Sequence, residues 1–106
     1  MISFFFIGLA AGFFVGLYLE EIINWAKNAL ERLKSAIRKA AVWIQRVPSG
    51  IKQFLYYIEH GQWMTTEITR PATPQEIQRL KDKMPADQYK DFTEDGTQIA
   101  TVERAA

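Results

Sequence analysis

The chain has no cysteine, which removes any disulfide framework and any thiolate chemistry and leaves a composition compatible with a reducing compartment. It has one histidine, His60, so a transition-metal site would have to be made from one imidazole and scattered carboxylates, which ligate poorly. His60 is read instead as a structural or solvent-exposed residue. Also missing is a charge of one sign. The 13 Lys+Arg and 12 Asp+Glu leave a net charge of +1, far from the basic excess by which nucleic-acid binding usually announces itself. No glycine-rich phosphate loop follows a strand, no nucleophile elbow is present, and no Ser or Thr pairs credibly with a base. The acidic group Asp87, Asp91, Glu94 and Asp95 lacks the alternating ligands, central glycine and closing glutamate of a calcium loop, and reads as exposed charge. These absences give no ground to expect an enzyme, a cofactor or a bound metal.

What is present begins at the N-terminus. From Ile2 to Leu19 the chain reads ISFFFIGLAAGFFVGLYL, eighteen residues without a charge. As a helix rising about 1.5 Å per residue it would just span the hydrocarbon core of a bilayer. A cleavable signal peptide fits less well, because no Lys or Arg precedes the run and no small-x-small site follows it before Glu20 and Glu21. The run is therefore expected to be a retained transmembrane helix over residues 1–19, with Tyr18 and Trp25 near one headgroup layer. Lys27, Arg32, Lys34, Arg38 and Lys39 all follow it and none precedes it, which predicts a cytoplasmic C-terminus and an N-terminus outside. Charge is uneven in the same sense. Residues 20–60 carry seven basic and four acidic side chains, a balance of +3, and residues 61–106 carry six and eight, a balance of −2. Inside the run, Gly8, Gly12 and Gly16 recur every four residues and would leave a groove along which helix backbones approach closely.

Beyond the run, Ile23, Ala26, Leu30, Leu33, Ile37, Ala40, Ile44 and Val47 are separated alternately by three and four residues. Such a repeat marks a helix that supercoils with partners, and counted backward it meets Gly16 and Gly12 in the same phase. The pattern predicts one continuous helix from about residue 2 to residue 46, with a single contact line. With Ile23 at position a, the g positions Ile22, Ala29, Ala36 and Trp43 are apolar as well, so the contact surface suits several helices or a covering second helix. Pro48 ends this amphipathic segment, residues 20–47, and Ser49 and Gly50 follow as turn residues. Ile51, Phe54, Leu55 and Ile58 then fit a second short helix within residues 48–61, closed by Gly61.

Residues 62–106 form a polar C-terminal region. Two stretches there, Trp63 to Thr69 and Thr97 to Glu103, have the β-branched alternation of strands and could form a small sheet, whose few large apolar side chains predict that it leans on the helices or on neighbouring subunits. Between them Thr73-Pro-Gln-Glu76 is a capping box opening a helix to about Met84, and Asp95-Gly96 marks a turn.

The expected fold is thus mainly α: a long N-terminal transmembrane helix continuing into a heptad-patterned helix, a second short helix, and a small α+β or irregular C-terminal region. The function this implies is a single-pass, membrane-anchored, self-associating structural or scaffold protein with a cytoplasmic assembly or partner-binding region. Its expected partners are the lipid bilayer, itself as a parallel homo-oligomer, and a cytoplasmic protein, with no nucleic acid. A small membrane effector forming an oligomeric pore or disrupting the bilayer is the main competitor. A water-filled pore wants polar or ionisable lining, however, and none occurs between Phe4 and Tyr18. A sensor that binds a small ligand in residues 62–106 ranks last, because nothing there identifies a pocket.

Overall fold

The computed structural model describes residues 4–9 and 19–104. Strand β1 is Phe4–Leu9, helix α1 Leu19–Arg32, β2 Lys39–Val47, β3 Gly50–Glu59, β4 Gln62–Arg70, α2 Pro74–Lys83, α3 Ala86–Thr93 and β5 Thr97–Arg104. The strands lie in the order β1-β5-β2-β3-β4, every neighbouring pair antiparallel. Four of them, β5-β2-β3-β4, make the body of the sheet, and β1 runs along the outer side of β5.

Helix α1 forms because Ile22, Ile23, Ala26, Ala29 and Leu30 fall on one face at helical spacing, while Glu20 and Glu21 in the first turn and Arg32 in the last oppose the helix dipole. That face lies on β2, β3 and β5. Helix α3 lies against β2 and β5, and α2 rests on α3. The inward residues of the sheet, Ala40, Val42, Ile44, Ile51, Leu55, Ala100 and Val102, meet Leu30, Leu80, Met84 and Phe92 in one buried cluster. A bulge in β5 opposite Val42 and Trp43 leaves Ile99 without a cross-strand partner, and both Ile99 and Ala100 are fully buried there.

The mainly α expectation is overturned. The repeat of threes and fours from Ile23 to Val47 holds as a helix only to Arg32, and the second half is strand β2. Ala40 and Ile44 are four apart, so they share a face in a helix and in a strand alike. Val42, which the helical repeat ignores, is fully buried between them and identifies the period of two. The side chains of Val42, Trp43, Ile44 and Val47 favour that outcome, being β-branched or aromatic. No coiled coil is present among the described residues. The expected second helix is β3 for the same reason: Ile51, Gln53, Leu55 and Tyr57 are buried on the helix-bearing side, and Lys52, Tyr56 and Ile58 alternate with them.

The transmembrane helix over residues 1–19 is likewise not found. Residues 4–9, rich in Phe and Ile, are strand β1 paired with β5, and no helix among the described residues is long and apolar enough to cross a membrane. Gly8 lies in β1; Gly12, Gly16 and Tyr18 lie outside the described residues, so the three-glycine groove has no counterpart in the described chain.

Strands do occupy Gln62–Arg70 and Thr97–Arg104, and a helix with Thr73 as its cap opens at Pro74, the Thr73 hydroxyl accepting from the Glu76 N–H at 3.2 Å. The two strands are not partners, however. β4 pairs with β3, and β5 pairs with β2 and β1.

Candidate interaction surface

Alternation along the strands divides the sheet into a face covered by the helices and a face over which, among the described residues, no helix lies. On the open side stand Trp43 of β2, Lys52, Phe54, Tyr56 and Ile58 of β3, and Trp63 of β4. Trp43 and Phe54 are direct cross-strand neighbours, their rings stacked at 6.1 Å and 27°. Tyr56 sets its ring edge to face against Trp43 at 5.5 Å, against Phe54 at 5.3 Å and against Trp63 at 6.2 Å. Ring separations of this size are in the favourable range, so the four aromatics hold one another in place.

One end of this row is closed over. The Gln45 amide donates to the Glu94 carbonyl, which draws the turn between α3 and β5 onto the sheet, and Gly96 there lies against the Phe54 ring. Phe54 is buried as a result. Lys52 reaches across the same end, with its Nζ 5.0 Å from the Phe54 ring centre and 3.4 Å from a Glu67 carboxylate oxygen. The opposite end stays open. There Tyr56, Ile58, Trp63, Ala41 and Thr101 line a groove of about 350 Å³ with Lys39 at its margin.

The second feature is the edge. β4 pairs with β3 alone among the described residues, so half of its backbone N–H and C=O groups have no strand partner. The helices do not extend over it, and Met64 and Ile68, on the helix-bearing side of the sheet, remain exposed. What ties β4 down lies toward the core: the Tyr57 and Thr66 hydroxyls are 3.3 Å apart, and Arg70 donates to Glu21 of α1 at 2.8 Å.

The large apolar side chains exposed among the described residues are Ile58 at 54%, Trp63 at 69%, Met64 at 38% and Ile68 at 44%, all on the last hairpin of the sheet. Single exposed apolar residues are ordinary, whereas here Ile58 and Trp63 on the open face and Met64 and Ile68 on the helix-bearing face flank the β4 edge from both sides. The sequence signal for this was there to be read. Once β3 is a strand, Ile58 and Trp63 fall opposite each other on the far face from Leu55 and Tyr57.

The residues expected to form an oligomer seam are elsewhere. Ile23, Ala26, Leu30, Ile37, Ala40 and Ile44 are buried in the chain's own core, Leu33 and Trp25 are packed partly against it, and Val47 is half-buried at the end of β2. The a, d and g surface read as a wide contact face is indeed buried over α1, but by the sheet of the same chain.

For chemistry the structure offers little. No group of three or more His, Asp or Glu stands close enough to hold a metal ion among the described residues. His60 is exposed in the turn between β3 and β4, and Asp87, Asp91, Glu94 and Asp95 are exposed in and after α3. A second cleft of about 490 Å³ lies between the β2–β3 turn and α2, lined by Val47, Pro48, Gly50, Ala72, Pro74 and Ile77 with Arg46 as its charged group. It brings no acid and base together. Compared with protein-family models, curated proteins and solved structures, the chain matches none of them.

Proposed function

We propose that this chain is a non-enzymatic, self-associating structural protein whose contact surface is the outer hairpin of its sheet and whose partner is a second copy of itself. The observation that carries this reading is the exposure of Ile58 and Trp63 on one face and of Met64 and Ile68 on the other, beside a β4 edge that has no strand partner among the described residues. Exposed apolar side chains beside an open edge are a liability in a chain that stays alone, since water contact with them is unfavourable and any free strand can pair there. Association removes both costs together.

The partner is argued from the balance of the surface. β4 carries one acidic and one basic side chain, Glu67 and Arg70, among uncharged residues, so it has no excess charge to select an acidic or basic ligand. A surface of that kind is compatible with itself. Sedimentation velocity over a hundredfold range of concentration tests the proposal. The chain is expected to move from monomer toward a larger species as concentration rises. The double variant Met64→Thr, Ile68→Thr is expected to stay monomeric with an unchanged far-UV circular dichroism spectrum. A parent that is monomeric throughout, or a double variant that associates as well as the parent, refutes it.

A further inference from the structure

We infer that two copies of this chain join through β4 itself, edge to edge and antiparallel, about a two-fold axis passing through Thr66. The inference rests on the self-association proposed above and specifies its geometry.

The turn decides which backbone groups are free. His60 and Gly61 connect β3 to β4 with both φ angles positive, 52° and 76°, the conformation of a two-residue hairpin turn. Glu59 and Gln62, flanking it, are therefore a hydrogen-bonded pair, and the bonding alternates from there. Gln62, Met64, Thr66, Ile68 and Arg70 direct their N–H and C=O groups toward β3. Trp63, Thr65, Glu67 and Thr69 direct theirs outward. In an antiparallel ladder, opposed residues either both face each other or both turn away, so a second β4 must set odd positions against odd and even against even. A symmetric pairing then has its axis on a residue.

An axis at Thr66 gives a consistent set of neighbours. Met64 falls opposite the partner's Ile68, so the exposed apolar residues of the helix-bearing side cover each other twice. They meet in pairs without hydrogen bonds between them, where Cα atoms approach to about 4.5 Å and side chains are closest. Thr65 falls opposite the partner's Glu67, Trp63 opposite the partner's Thr69, and Gln62 opposite the partner's Arg70. No like charges are opposed. Moving the axis to Glu67 sets the two Glu67 carboxylates face to face and places Met64 against the partner's Arg70. Moving it to Thr65 sets Trp63 against the partner's Glu67 and Ile68 against the partner's Gln62. The chain's own side chains thus select Thr66. The product is one continuous sheet with the helices of both copies on the same side and the two aromatic faces on the other.

Cysteine substitution tests the axis cleanly, because the chain has no cysteine of its own. Opposed residues that share no hydrogen bonds have Cα and Cβ separations that a disulfide can bridge. Thr66→Cys is therefore expected to give a disulfide-linked dimer under mild oxidation. Thr65→Cys, whose own equivalent is offset along the partner strand, is not. Charge provides an independent arm at an exposed position. Thr65→Lys places two Lys–Glu67 pairs across the axis and is expected to tighten the dimer roughly three- to tenfold, while Thr65→Glu loosens it by a similar factor. If the parent self-associates yet Thr66→Cys links no better than Thr65→Cys, or if the two charge variants behave alike, the Thr66 axis is overturned and the self-association reading survives. If the parent is monomeric at every concentration, both fall, and β4 is an edge for some other strand.

Discussion

Arg104 is the last described residue, yet its side chain is only 4% exposed. Its Nη2 donates to the carbonyls of Leu30 and Leu33, the latter at 2.9 Å, where α1 runs out of intrahelical donors. Its backbone N–H donates to the Arg38 carbonyl at 2.8 Å, so the end of β5 is bonded to both sides of the α1–β2 connection. A hydrogen bond to a charged group is worth about 1.5–3 kcal/mol, but the two bonds here do not count equally. The Leu30 carbonyl also accepts from the Leu33 N–H at 3.1 Å and keeps that partner when the guanidinium is removed. Truncation also relieves the cost of holding the guanidinium out of water. Arg104→Met, which keeps most of the apolar stem, should therefore cost about 2–3 kcal/mol, less than the two bonds together. Arg104→Lys keeps the charge and enough N–H donors for both carbonyls, but its shorter side chain sets the ammonium back from the place of Nη2, and it should cost roughly half as much. In a domain of this size such losses correspond to melting temperatures lower by about 10–15 °C and 5–8 °C. Urea unfolding followed by far-UV circular dichroism, with an unchanged slope in denaturant, measures both. A Met variant within about 0.5 kcal/mol of the parent, or a Lys variant as damaged as the Met variant, refutes the view that a charged donor from Arg104 caps α1.

Two further predictions concern the interior and the turns. Gln53 is fully buried between Ile44 and Ile68 in the sheet register, and neither atom of its amide has a hydrogen-bonding partner among the described residues. Gln53→Met, of similar volume, should raise stability by about 1–3 kcal/mol in the same urea assay, and a loss of stability would sink this account. Gly50 has φ +144°, and a Cβ there would collide with the Arg70 carbonyl oxygen, whereas a Cβ on Gly61 meets nothing within 4 Å. Gly50→Ala should cost more than about 3 kcal/mol and Gly61→Ala about 1 kcal/mol, and equal costs would contradict the close approach of β4 to the β2–β3 turn.

The local patterns in the sequence were sound where one period only was available. Ile22, Ile23, Ala26, Ala29 and Leu30 fit a helix and no strand, and α1 is a helix with that face buried. The Thr73 cap, the proline after it and the alternation in residues 63–69 and 97–103 likewise appear as α2, β4 and β5. Expectation and structure part where two periods coincide. Ile37, Ala40, Ile44 and Val47 satisfy a heptad, while Ala40, Val42 and Ile44 satisfy a strand, and Ile51, Phe54, Leu55 and Ile58 satisfy a helix although alternate residues from Ile51 to Tyr57 point inward. Both stretches are short apolar runs in which spacing alone does not separate strand from helix.

The sequence by itself determined that the chain offers no cysteine chemistry and carries almost no net charge, and that its apolar residues are patterned to be covered. Which residues cover which was decided by tertiary structure. The face of α1 needed an apolar surface, and β2, β3 and β5 supplied it at close range from the same chain, so the seam that reads as an oligomer contact became an internal one. Covering that face placed the helices on one side only and left Trp43, Tyr56, Ile58 and Trp63 on the other. The order β1-β5-β2-β3-β4 then left β4 at an edge, a position that no local periodicity encodes because strand order depends on contacts between residues far apart in the chain.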